Sequence, residues 1–385
     1  MTEMNNLKNK HITIMRSILI AGPLPPPVHG AAQVNQYIKD SKLMNGRFDM
    51  DFVNLATSRK VEEISKCGPL LSVKKMWRFM CSFLRCLWLL ATHRYDLCYL
   101  AITCHGTGLL KDVPFVLLCK AFGRKIVIHQ HNKGMNNDTD RWPYRWLLPL
   151  TYRNCKVILL SWRLYPDIEK VVRKENVMIC PNGIPPLEDV CAEGKEERLL
   201  NAVPRLLFLS NLIVSKGVYV MLDACRMLND RGIAFACDFV GNESMEISRP
   251  EFEKEIHNRG LDDMVRYHGP KYGRDKEEYW NSADVFVFPT YNDCFPLVLL
   301  EAMQHSLPVV ATDEGGIPDI VQDGISGLIC RKNDAKELAD KVETMLADKE
   351  LRVQMGRNGC QRVKSDYTIG KWEEKLCECL TQIGH

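Results

Sequence analysis

Two carboxylates and a helix start stand out within residues 285–328. Asp293 sits in a polar turn after a β-rich run that ends near Pro289, and Glu301 follows eight residues later. Between them, Phe295-Pro296-Leu297 leads into an apolar helical pattern. Proline suits the first turn of a helix, where its missing N–H would have had no partner. The free N–H groups of Leu297 and Val298, with the positive end of the helix dipole, make a seat for a diphosphate or a sugar hydroxyl. One carboxylate can then meet a sugar, and the other the vicinal hydroxyls of a ribose. The loop Glu314-Gly315-Gly316 follows another strand-like run and can bring bare backbone to the same ligand. In the other half, residues 22–32 form a stiff loop with three consecutive prolines, ending at Gly30 and Ala31, where backbone can approach a ligand at a helix start. His29 lies in this loop and is a candidate to line the site or to pack on the prolines.

The elements that must hold these residues alternate short β-rich runs with longer helical patterns, which indicates parallel α/β sheets. Strands are expected at 17–21, 48–54, 97–102, 125–129 and 157–160 in the first half. In the second they are expected at 205–210, 234–240, 265–269, 285–289, 308–312 and 327–330. A helix over 216–228 would place Val220, Met221, Ala224 and Leu228 on one stripe. The segment 185–204, rich in Glu and Pro, is the expected connection. This gives a first domain at 1–185, a second at 186–367, and a last helix, 368–385, that can fold back on the first. A G-x-G-x-x-G dinucleotide fingerprint is absent after the first strand, which argues against a dehydrogenase.

The chain has 385 residues, 46% hydrophobic and 26% charged, in the range of a soluble globular protein of about two domains. No run approaches the roughly 18 apolar residues of a membrane span, and the polar residues 1–10 do not read as a secretory leader. The 16 cysteines include no C-x-x-C pair, and Cys81, Cys86, Cys98, Cys119 and Cys225 fall in apolar runs. Reduced, buried thiols in a cytoplasmic protein are expected. Net charge is +3, but residues 1–185 hold 27 Lys and Arg against 13 Asp and Glu, and the remainder is acidic. A basic first half suits an anionic surface, or an acidic second domain.

The block 285–328 resembles the E-x7-E region of retaining glycosyltransferases with the GT-B fold, specifically glycosyltransferase family 4. Residues 177–185 (VMICPNGIP) resemble that family's segment closing the first domain, and 207–217 (LFLSNLIVSKG) the strand and loop opening the second. The resemblance implies an α/β GT-B fold of two Rossmann-like domains with a donor cleft between them. The first domain would bind the acceptor and the second the nucleotide sugar. It further implies that Glu301 binds the donor ribose, Asp293 contacts the transferred sugar and Lys216 neutralises the diphosphate. His131 would lie near the reacting sugar, and Gly30 and Ala31 near the phosphates. Asn211, Gly241, Phe295, Pro296, Leu297 and Val298 would complete the donor pocket.

This chain departs from the family pattern in three places. Asp293 is one methylene shorter than the usual Glu, Asn211 stands where many relatives carry Arg, and Ala31 replaces a second glycine. The implied reaction is hexosyl transfer from a UDP- or GDP-linked donor with retention, onto a glycan or lipid-linked glycan of a surface polysaccharide. No metal cofactor is expected, because Asp138-Thr139-Asp140 reads as a surface turn and Lys216 with helix dipoles can stand in for a cation. Alternatives left open are a degenerate partner subunit of a glycan-assembly complex and a nucleotide-sugar epimerase.

The segment 72–90 places Lys75, Arg78, Ser82 and Arg85 on one helical face among Trp77, Trp88 and other apolar residues, and 141–149 repeats the theme. That pattern fits an anionic membrane surface, with the protein peripheral on the inner face of the membrane; a helix buried on most faces gives it too. No pattern for nucleic-acid binding is found.

Overall fold

The structure, a computed structural model, describes residues 15–26, 30–58, 73–187 and 202–384. His29, residues 1–10 and most of the expected connection 185–204 lie outside them. Two six-stranded sheets, parallel throughout, carry the architecture. The first consists of β1 (Arg16–Gly22), β2 (Phe48–Asn54), β3 (Leu97–Leu100), β4 (Ile126–His129), β5 (Lys156–Leu159) and β6 (Val177–Ile179), in spatial order β2-β1-β3-β4-β5-β6. The second consists of β7 (Arg205–Leu209), β8 (Ala236–Val240), β9 (Val265–Tyr267), β10 (Val285–Phe288), β11 (Val309–Thr312) and β12 (Gly327–Cys330), in order β12-β11-β10-β7-β8-β9. The expected strands are met to within two residues, and β6 adds one more.

Strands of this kind are apolar on both faces because helices cover both. On β1, Ile18 and Ile20 pack with Val34 and Ile38 of the helix Gly30–Asp40 and with Trp372 and Leu376 of the last helix, Ile369–Gly384. Leu19 and Ala21 face the opposite layer, with Cys86, Leu89 and Phe115. Burying each large aliphatic side chain stabilises the fold by about 1.5–3 kcal/mol. The last helix therefore belongs to the first sheet's core. The chain crosses back to reach it beside the outgoing crossing: Ile184 N–H donates to Tyr367 O at 2.9 Å, and Ile369 N–H to Ile184 O at 2.8 Å.

Each sheet reverses its winding once, between β1 and β3 in the first and between β7 and β10 in the second. In open α/β sheets ligands settle at such a switch point, outside the carboxyl ends of the strands. The loops after β7 and β10 carry Lys216 and Asp293, so this topology alone brings those residues together.

Several local expectations change. Lys216 is not in the helix; it ends a single 3-10 turn, Val214–Lys216, and the helix begins after Gly217 as Val218–Asp230. Pro296 is the N-cap of Leu297–Gln304 rather than its first helical residue. Asp138 is buried: its carboxylate accepts from Gly106 N–H at 2.8 Å and pairs with Arg141 at 2.8 Å, holding the start of the helix Gly106–Ala121. It is not part of a surface turn. Thirteen of the 14 described free cysteines are buried, but Cys81 is exposed. The helix Val73–Thr92 turns Phe79, Phe83 and Cys86 toward the core and leaves Trp77, Leu84 and Trp88 exposed. Its Arg78 and Ser82 bond the carbonyls of Thr57 and Asn54, on the protein-facing edge.

Candidate functional site

Two glycines fix the second sheet's edge. Gly217 (φ +82°) lies against Pro289, where a Cβ would come 2.1 Å from the Pro289 carbonyl oxygen. The loops after β7 and β10 are further clamped by Tyr291 N–H donating to Ser215 O at 2.9 Å. Gly315 (φ +53°) lies against the turn after β10, where a Cβ would come 2.2 Å from Asp293 O. Only a residue without a side chain takes that backbone conformation at that distance without strain. Backbone contact therefore sets the positions of Lys216, Asp293 and Glu314 before any ligand arrives.

The charges around this edge interlock. Lys216 Nζ lies 2.5 Å from Asp293 Oδ2, and 5.9 Å from the centre of the Phe288 ring. Glu314 is 1% exposed and pairs with two lysines, Lys332 at 3.0 Å and Lys133 of the first domain. The Asp293 N–H donates to the same Glu314 carboxylate at 3.4 Å. Burial and the Asp293 charge push the Cys294 thiol up, while the charges of Lys133 and Lys216 both pull it down. Three lysines thus gather around two carboxylates, which is the cation supply that a diphosphate would need.

One turn into the helix Leu297–Gln304, Glu301 Oε2 receives Lys276 Nζ at 2.6 Å. Across the cleft, burial raises the Tyr37 phenol, its side-chain hydrogen bond with Gln33 lowers it, and the Glu301 charge raises it further. Tyr37 belongs to the helix that Gly30 and Ala31 begin. Among the described residues, a Cβ on Gly30 would meet nothing within 4 Å. Leu297 and Val298 open a helix whose N-cap, Pro296, provides no side-chain cap, so its first N–H groups keep their capacity to bind a ligand.

Not every expected residue gathers there. Asn211 is committed within its own domain: its Oδ1 accepts from the Asn242 N–H at 3.1 Å. Gly241 pairs its N–H with Gly269 O at 3.1 Å, and its carbonyl accepts from Tyr267 OH at 2.8 Å. Phe295 is buried and stacks edge-on with Tyr367 at 5.7 Å, and its carbonyl accepts from Asn182 Nδ2 at 3.3 Å. Its part is to join the P-N-G segment of the first domain to the site.

His131 packs on His129, with ring centres 4.1 Å apart. His129 is fully buried and its Nδ1 bonds Tyr99 OH at 2.7 Å. Burial, and then the charge of His131, hold its imidazole well below the usual range. His129 is thus a neutral support against which His131 is set. Among the described residues no group of three or more His, Cys, Asp or Glu is arranged to hold a metal ion.

Sequence reasoning missed Lys133, Lys332 and Lys276, as well as Asp319. The Asp319 carboxylate accepts from Ser161 Oγ and from Arg163 Nε, the latter at 2.9 Å, and so ties the two domains. Each is a polar residue, Lys133 and Lys332 in loops and Lys276 and Asp319 on helices, whose role depends on a partner elsewhere in the sequence. For Lys133 the available signal was its place two residues after His131.

This arrangement is a GT-B fold. Superposition with sucrose-phosphate synthase from Thermosynechococcus elongatus covers 96% of this chain and 99% of that one, with a TM-score of 0.73 at 19% identity. The Anabaena protein HepE in complex with UDP superposes over 96% of this chain and all of its own, with a TM-score of 0.70 at 16% identity. Residues 193–362 match the family Glycosyl transferases group 1. In sequence, the chain is 28% identical over 183 residues to the capsular polysaccharide biosynthesis glycosyltransferase CapM of Staphylococcus aureus, 47% of either chain. The match thus spans about half the length of that relative.

Proposed function

We propose that the protein is a nucleotide-sugar-dependent glycosyltransferase of surface polysaccharide assembly. The observation that carries this reading is the set of Lys216, Lys133 and Lys332 around Asp293 and Glu314. It stands at the second sheet's switch point, and all of its members but Lys133 lie inside the segment matching Glycosyl transferases group 1. The capsular polysaccharide relative and the UDP-bound neighbour support the substrate class.

The donor enters with its diphosphate against Lys216 and the first N–H groups of Leu297 and Val298. Glu301 leaves Lys276 to accept from the ribose diol. Asp293, released by Lys216, accepts from the sugar hydroxyls. Asn211 offers no cation, and Lys133 takes that share of the phosphate charge from across the cleft. Gly30 and Ala31 bring backbone to the phosphates from the same side. The bond between the anomeric carbon and the diphosphate oxygen breaks, and a bond to the acceptor hydroxyl forms on the same face. The leaving diphosphate takes the acceptor proton, and configuration is retained. His131 lines the reacting sugar. The cations named here replace a metal ion in stabilising the leaving group.

The test incubates the protein with UDP-, GDP- and ADP-linked hexoses, with and without a chelator, and measures nucleoside diphosphate release. Release from one donor, unaffected by the chelator and lowered at least about a hundredfold in Lys216→Ala, is expected. A free sugar nucleotide converted to its epimer would support the epimerase instead. Donor binding with no release across acceptors would favour the partner-subunit reading.

A further inference from the structure

Three helices lie side by side on one face of the first sheet. Val73–Thr92 packs on Gly106–Ala121 through Phe79 and Phe83, whose rings lie 5.6 and 5.7 Å from that of Phe115. Gly106–Ala121 in turn holds Tyr144–Tyr152, with Lys120 Nζ donating to the Leu150 carbonyl at 2.5 Å. The outer surface of this layer is apolar. Four of the seven tryptophans of the chain, Trp77, Trp88, Trp142 and Trp146, stand on or beside it and are 59–78% exposed. Val73, Met76, Met80, Leu84, Leu110 and Leu150 are exposed among them. On the first helix, positions 73, 77, 80, 84 and 88 form one stripe at helical spacing, so the exposure is continuous along its length.

Exposed charge on the three helices has one sign, while beside them Asp140, exposed before Trp142, pairs with Lys170 at 3.7 Å. The three helices hold seven lysines and arginines and a single acid, Asp112, which is 2% exposed. Lys74 and Arg85 flank the apolar stripe in solvent, and Arg145 lies over the Trp146 ring at 5.3 Å. A second copy meeting this face by two-fold symmetry would set cations against cations. A surface that is apolar just below and anionic on top meets both features: tryptophan seats at the headgroup level, and the cations meet lipid phosphates.

We infer that this three-helix face docks on an anionic lipid bilayer. The docking is peripheral: among the described residues no helix is long and apolar enough to cross a membrane. The helix Val73–Thr92 runs into β3, so Val73 and Trp77 lie toward the carboxyl ends of the strands, as does Trp142 in the segment after β4. The face therefore brings the cleft edge of the first domain to the lipid. This inference does not depend on the transferase reading, because it needs neither donor nor acceptor.

The test is co-sedimentation of the full chain with phosphatidylcholine vesicles, either pure or with about a third phosphatidylglycerol. Binding to the acidic vesicles at low salt, lost in high salt, is expected, together with a blue shift of tryptophan emission. Trp77→Ser with Trp88→Ser should weaken binding about tenfold or more. Lys74→Glu with Arg85→Glu should weaken it at least roughly fivefold per residue. Both double variants should keep the wild-type melting temperature, and should the tryptophan pair fail to fold, the charge pair reads the same face. No binding to acidic vesicles at low salt would overturn the proposal, as would binding indifferent to both double variants. Self-association that Trp77→Ser with Trp88→Ser abolishes, without vesicle binding, would overturn it in favour of a second copy.

Discussion

The two sheets turn their carboxyl ends toward a common cleft but hold their loops by different means. On the second sheet the closest approaches are backbone on backbone: Gly217 against Pro289, Gly315 against Asp293, and Gly316 N–H to Cys294 O at 2.7 Å, with Thr290 and Thr312 hydroxyls adding bonds to Ser215 O and Thr290 O. On the first they are buried or half-buried side chains reaching backbone. Asp112 accepts from Thr103 N–H at 2.9 Å, and Asp138 from Gly106 N–H at 2.8 Å. Asp167 Oδ2 receives Gly134 N–H at 2.9 Å and Met135 N–H at 3.1 Å, while Asn132 Oδ1 receives Cys104 N–H at 3.1 Å. The second edge is stiff wherever glycine is kept. The first depends on scattered polar residues, each of which would cost about 1–3 kcal/mol if its partner were lost.

The largest expected effect tests that stiffness. Gly315→Ala puts a methyl group 2.2 Å from Asp293 O at a φ of +53°, and should cost about 3 kcal/mol in chemical unfolding. Gly30→Ala, with nothing within 4 Å among the described residues, should change stability by less than about 0.5 kcal/mol and act on donor affinity instead. Equal costs at the two glycines would break the comparison.

Glu314 is the point where the two edges meet. Glu314→Gln leaves Lys133 and Lys332 without their anion, but these lysines are 26% and 53% exposed and can turn to water. The cost is therefore expected at about 1–2 kcal/mol, below that of breaking a fully buried pair. Lys133→Ala should cost less than Glu314→Gln, because Lys332 remains; the difference in urea midpoints measures it.

The smallest effect belongs to the first edge. Burial lowers the folded-state pKa of His129 below its unfolded value of about 6.5. As pH falls through that value the unfolded chain takes up the proton first, so this group's contribution is full above about pH 6.5 and is lost below it, by at most about 1.4 kcal/mol per pH unit. His129→Gln should destabilise the protein at pH 7.5 by loss of the Tyr99 bond, and its deficit should narrow toward pH 5. A constant deficit would mean that the imidazole is not held neutral.

The same contrast decides what could be read from the sequence. Strand positions were legible because strands covered on both faces are unbroken apolar runs, as in residues 285–288 and 309–312. The second edge was legible because its backbone contacts need glycine at fixed spacing from Asp293 and Glu301. The sequence pattern puts Lys216 in a helix, since nothing before Gly217 marks the separate 3-10 turn. Asp138 reads as a turn residue in the sequence because its partner, Gly106, is 32 residues away. Lys133 and Lys332 reach Glu314 from opposite domains, and only the folded chain brings them together.

The most direct test of the donor site is calorimetric titration with UDP, GDP, ADP and NAD on the wild type and on Glu301→Ala. In the proposed function Glu301 accepts from the ribose diol while Lys216 holds the diphosphate. Binding of one nucleoside diphosphate, weakened at least about tenfold in the variant, is the predicted result. Binding of none of the diphosphates, or binding indifferent to Glu301, would contradict the account.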